Sequence, residues 1–115
     1  MKSMRFLLIP FLTLAACSLA QAHAFLDHAN PRVGSTIAAP DHVQLWMTEE
    51  LEPAFSKVQV FDSEKHQVDK KDDKISGSTM TVSLPKLAAG TYLVKWTAVA
   101  TDTHHTNGTF NFTAQ

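Results

Sequence analysis

The sequence predicts an all-β domain, an antiparallel sandwich or Greek-key barrel. Three observations carry this. Several short runs place apolar residues at every second position. Clusters of Gly, Pro, Asn and Asp separate those runs. No stretch after residue 23 keeps a helical apolar period for three turns. Period-two alternation sends one set of side chains into a core and the other into water, and short strands without intervening helices pack as antiparallel layers.

The elements follow in order. Ala24-Phe25-Leu26 is a short first strand, ended by Asn30-Pro31 and Gly34-Ser35. Val43–Met47 alternates, as does Phe55–Phe61, in which Val58 and Val60 are separated by a polar residue. Glu49–Phe55 between them is a turn with room for one helical turn at most. Residues 63–78, centred on Lys70-Lys71-Asp72-Asp73-Lys74, are the most polar stretch and read as an exposed loop or frayed edge hairpin. Thr79–Leu84 and Tyr92–Val99 alternate again, and Thr109–Thr113 closes the chain. Asn107-Gly108 between the last two reads as a tight turn rather than a glycosylation site.

The first 22 residues belong to a different class. Lys2 and Arg5 precede an uncharged run, residues 6–20, and Ala20-Gln21-Ala22 follows with small residues at the cleavage spacing. This is the layout of a secretory signal peptide. The run is short for a membrane span and Pro10 interrupts it. Cleavage after Ala22 leaves 93 of the 115 residues as a single domain, 23–115, beginning at His23. A rival reading takes Leu14-Ala15-Ala16-Cys17 as a lipobox, which would anchor the protein through Cys17.

Loss of Lys2 and Arg5 takes the net charge from −1 to −3. That excludes a strongly basic nucleic-acid binder. The only cysteine, Cys17, leaves with the leader, so the mature chain has neither disulfide nor thiolate. No nucleophile elbow, phosphate loop or His-Glu-x-x-His helix is present, and the domain reads as no enzyme.

Histidine is the informative residue type, with six in the chain, all from position 23 onward. An N-terminal histidine offers its amine and its imidazole Nδ1 to one metal in a single chelate ring. Both are nitrogen donors suited to tetragonal Cu(II). Asp102-Thr103-His104 adds a carboxylate and an imidazole at a spacing that shares one face of a strand. Other readings stand beside this one. Asp102 in a turn would bond its own backbone. His42 and His66 read as solvated, and His28 as loop decoration that approaches the chain start. His105 would face away from His104 on a strand.

The region 23–115 resembles the CopC family of bacterial periplasmic copper-binding proteins. The resemblance rests on His23-Ala24, Pro31, Gly34-Ser35, the stretch VQLWMTEELEPAFSKVQVFD, GTYLVKW and ATDTHHTNGTFNF. It implies an Ig-like or cupredoxin-like Greek-key β-barrel. It implies one Cu(II) ion held by His23, through amine and imidazole, and by Asp102 and His104. It implies a periplasmic role in copper homeostasis or resistance, and an inner-membrane copper transporter of the CopD type as partner. Some members carry a methionine-rich copper(I) loop. Here only Met47 and Met80 follow the leader, both inside strands, which points to the copper(II)-only branch. His105 stands where many members have proline. Two other classes remain open from sequence: a copper oxidase built on an N-terminal histidine chelate, and an Ig-like module whose histidines hold no metal.

Overall fold

The computed structural model describes residues 24–115, so the leader, Cys17 and His23 lie outside the described residues. Among the described residues, eight strands form two four-stranded sheets. They are β1 (Leu26–Asn30), β2 (Thr36–Ile37), β3 (His42–Met47), β4 (Lys57–Phe61), β5 (Lys74–Ser76), β6 (Thr79–Ser83), β7 (Gly90–Val99) and β8 (His105–Ala114). One sheet has the order β1-β3-β6-β5 and the other β2-β8-β7-β4. The chain crosses between sheets after β1, β2, β3, β4 and β6, the connectivity of a Greek-key sandwich. All pairings are antiparallel except the short parallel contact of β2 with β8.

Alternation builds the core. Val43, Leu45 and Met47 of β3 face inward with Met80 and Val82 of β6. From the other sheet come Val58 and Val60, then Tyr92, Val94, Trp96 and Ala98, then Phe110 and Phe112. The Tyr92 and Phe112 rings stack with centroids 5.6 Å apart, and the Tyr92 hydroxyl donates to the Ala88 carbonyl at 2.6 Å. Burying such side chains stabilises the fold by roughly 1.5–3 kcal/mol for each large apolar residue.

Several sequence expectations need correction. The first strand begins at Leu26, not Ala24: the Ala24 carbonyl and the Phe25 amide bond to the Thr106 and Thr48 hydroxyls rather than to strand backbone. Phe55 lies before β4 and is exposed, not part of its inward row.

The polar stretch 63–78 is also more than a solvated loop. It contains β5, it packs Val68 against the core, and it buries Asp69. Here carboxylates stand in for a strand. Asp69 accepts the Val60 amide at 2.7 Å and the Lys71 amide at 2.8 Å, and Asp72 accepts the Ser83 amide at 2.9 Å. Two of these bonds give partners to the amides of Val60 within β4 and Ser83 at the end of β6, as buried backbone donors require. Asn107-Gly108 is not a turn either. Both residues lie inside β8, opposite Thr97 and Trp96.

Candidate metal centre

The β7–β8 connection is a tight turn. Val99 pairs with His105, and the Ala100 amide donates to the His104 carbonyl at 3.0 Å. The Thr103 amide donates to the Ala100 carbonyl at 2.8 Å, and Thr103 takes a left-handed backbone with φ 74°. That conformation is unusual for a β-branched residue, and such strain concentrates at functional loops.

Asp102 fixes the turn. One carboxylate oxygen accepts the His104 backbone amide at 3.1 Å, and the other lies 3.2 Å from His104 Nδ1. Asp102 is therefore an Asx-turn residue and a partner of the His104 ring at once. The pair comes together through this turn, not through a shared strand face, because β8 begins only at His105. A carboxylate on Nδ1 favours the tautomer that leaves Nε2 as the lone-pair nitrogen and fixes the ring's orientation.

The described chain start is fastened beside this turn. Ala24 is fully buried, and its carbonyl accepts a short hydrogen bond from the Thr106 hydroxyl. The Phe25 amide donates to Thr48 Oγ1 at 2.9 Å, and the Thr48 amide donates to the Phe25 carbonyl at 2.8 Å. Residues 24 and 25 are thus clamped between Thr48 and Thr106, two positions beyond His104.

The remaining histidines have other places. His28 is not on a loop. It lies on β1, stacks on Trp46 with centroids 4.4 Å apart, and has Nδ1 2.8 Å from an Asp27 oxygen. His42 opens β3, half-buried, with Nδ1 2.8 Å from Asp41. This hydrogen bond pulls the Asp41 carboxyl below its usual range. His105 lines a groove with Glu52, Phe55, Val99 and Thr103.

Two features escaped the sequence reading. Asp62, Glu64 and His66 converge in the turn after β4, with donor atoms within 4.8 Å of one another. Asp62 accepts the amides of Glu64 and His66 at 2.9 Å each, and the His66 amide is the main reason its carboxyl lies below the usual range. The alternation Asp62-x-Glu64-x-His66 was the available signal, hidden within a generally polar stretch. The second feature is exposed Phe55 after Pro53, an apolar residue on a turn.

The CopC domain model matches residues 26–115. Copper resistance protein C of Pseudomonas syringae pv. tomato is 34% identical, over 89% of this chain and 92% of that protein. Copper resistance protein C of Escherichia coli is 30% identical, over 90% of each. A copper transport protein of Bacillus subtilis, CutJ, is 31% identical over 79% of this chain but only 18% of its own length. Among solved structures, the fold is similar to PcoC, a methionine-rich copper resistance protein from Escherichia coli. There the TM-score is 0.72 and the identity 33%, covering 82% of this chain and all of that one. CopC from Methylosinus trichosporium OB3b gives 0.70 and 34%, covering 81% and 94%. With a family model spanning nearly all the described residues and relatives of 30% identity or more matched over about nine-tenths of each chain, this chain belongs to the CopC family.

Proposed function

We propose that the mature protein, beginning at His23, binds one Cu(II) ion in the bacterial periplasm and holds or carries it for copper homeostasis and resistance. The observation that carries this reading is the fastening of Ala24 to Thr106 beside the Asp102–His104 turn. Ala24 directly follows His23 in the sequence, so this fastening supports a site that joins the chain start to that turn. His23 would supply amine and imidazole nitrogens, His104 an imidazole and Asp102 a carboxylate oxygen. Two imidazoles, an amine and a carboxylate match the tetragonal N,O preference of Cu(II). The relatives called copper resistance protein C support the same cargo.

Copper(I) is disfavoured by the methionines. Met47 and Met80 are both buried in the core, so neither offers a thioether at the surface. Four protein donors also leave little room for a substrate, which favours holding the ion over catalysis. An inner-membrane transporter of the CopD type would receive the copper; the likeness to part of a larger copper transport protein supports that partner. The leader supports export, with cleavage after Ala22 exposing the His23 amine.

The test adds one glycine before His23. The imidazole remains, but its ring with the amine is broken. Competition titration with a Cu(II) chelator should show a marked loss of affinity and a shifted visible absorption band. Equal affinity and an unchanged spectrum would rule out the N-terminal chelate.

A further inference from the structure

The groove beside the β7–β8 turn plays no part in that ligand set. Its walls are Glu52, Phe55, Val99, Thr103 and His105, and it encloses about 420 Å3. Phe55 is 67% exposed, yet the loop that carries it is held in place. The Phe55 amide donates to the Glu52 carbonyl at 3.2 Å, and the Glu52 amide donates to the Val99 carbonyl at 2.7 Å. The next residue, Ser56, is buried, and its hydroxyl accepts the Val99 amide at 3.0 Å. An aromatic ring presented on a fixed loop costs little entropy to engage, and such residues anchor interfaces.

Acids lie on one side of the groove. Glu52 forms a wall, and Glu49 and Glu50, both exposed, precede it in the chain. The Leu51–Ala100 bridge and the Thr101 amide bond to the Glu50 carbonyl hold this acid-bearing segment against the β7–β8 turn. Lys57 is the one base within residues 49–57. Thr103 and His105 flank His104, so the groove is continuous with the turn proposed to hold copper.

We propose that this groove is the docking surface for the protein that takes copper away, and that the acceptor presents a basic segment carrying an apolar side chain. The proposal rests on the copper reading of Asp102 and His104. The carboxylates attract a cationic segment and repel an acidic one, and Phe55 gives the apolar side chain a partner. Docking there brings the acceptor's own ligands to the ion's side of the turn. Complementary charge of this kind acts mainly on association rate and partner choice.

The experiment uses Cu(II)-loaded mature protein and two synthetic acceptors. Each has a Gly-Gly-His head that chelates Cu(II). One continues as Lys-Leu-Lys-Leu-Lys, the other as Glu-Leu-Glu-Leu-Glu. Stopped-flow absorbance follows transfer. The basic peptide should accept copper about tenfold faster or more at low salt, with the gap closing as ionic strength rises past 0.15 M. Phe55→Ser, and the triple variant Glu49→Gln, Glu50→Gln and Glu52→Gln, should each slow transfer to the basic peptide by about tenfold. Copper affinity and melting temperature should stay unchanged in both. Equal rates for the two peptides, or variants that transfer like the parent, overturn the docking surface alone. A parent protein that takes up no copper overturns the site reading and this proposal with it. A concentration-dependent dimer abolished by Phe55→Ser would assign the groove to a second copy of the chain and overturn it too.

Discussion

The Thr106 hydroxyl donates to the Ala24 carbonyl, 82 residues away in sequence, and ties the start of the described chain to the strand that follows the Asp102–His104 turn. Thr106→Val keeps the shape of the side chain and removes the donor. A net hydrogen bond contributes about 0.5–1.5 kcal/mol, so the variant should bind Cu(II) about two- to tenfold more weakly as the chain start loosens. Competition titration beside a thermal melt checks this. An affinity unchanged within error would mean that the chain start does not contribute to the site.

Gly108 makes a second pairing visible. A Cβ at this position would lie 2.6 Å from Trp96 Cζ2 and 2.9 Å from Cε2. Trp96 sits opposite on β7 and is buried, so its ring has no open space to move into. Gly108→Ala should cost roughly 1–3 kcal/mol by overpacking. The melting temperature should fall by several degrees, with an altered near-ultraviolet tryptophan signal. A melt equal to the parent's would show that the ring adjusts freely.

The same pair shows where the sequence was legible and where it was not. Val43, Leu45, Val58, Val60, Met80 and Val82 declare their strands by alternation, because every second side chain is buried. Asn107-Gly108 carries the local signature of a turn. It lies in a strand because glycine there answers to the size of Trp96 across the ladder, a non-local cause that no window along the chain contains. Asp69 and Asp72 look like solvent-facing charge and instead accept backbone amides in place of strand pairing. Asp102 and His104 were picked out by residue type and spacing. The turn that joins them, with Thr103 left-handed, depends on closure of the β7–β8 hairpin. His28 stacks on Trp46 because β1 pairs with β3 in a register the sequence does not display.

Acid should weaken the fold through three aspartates. The carboxyls of Asp41, Asp62 and Asp72 lie below the usual range: Asp41 mainly through its hydrogen bond to the His42 side chain, Asp62 and Asp72 mainly through the His66 and Ser83 amides. Each binds a proton more weakly folded than unfolded. Their contribution is therefore complete above the unfolded value, about 3.9, and is lost as pH falls through the lower folded values. The urea midpoint should drop below about pH 4. Asp72→Asn keeps an acceptor for the Ser83 amide but removes the titration, so its midpoint should fall less steeply there. Parallel curves for variant and parent would assign the acid loss to other groups.

The histidines should differ sharply when replaced one at a time. His28, His42, His66 and His104 each have Nδ1 near an aspartate oxygen, at 2.8, 2.8, 3.5 and 3.2 Å. A carboxylate partner therefore does not distinguish them. Position does: only His104 lies on the turn beside the clamped residues 24 and 25. His28→Ala, His42→Ala and His66→Ala should leave Cu(II) affinity nearly unchanged, while His104→Ala should cost more than the roughly 10–100-fold typical of partners behind a ligand. Asp102→Asn then separates two roles. It keeps an oxygen for the His104 amide but loses the charge. A loss as large as that of His104→Ala would make Asp102 a ligand. A loss within the outer-partner range would make it the residue that orients His104. Equal losses at His66 and His104 would defeat the assignment, because the turn after β4 would then hold copper as well as the β7–β8 turn does.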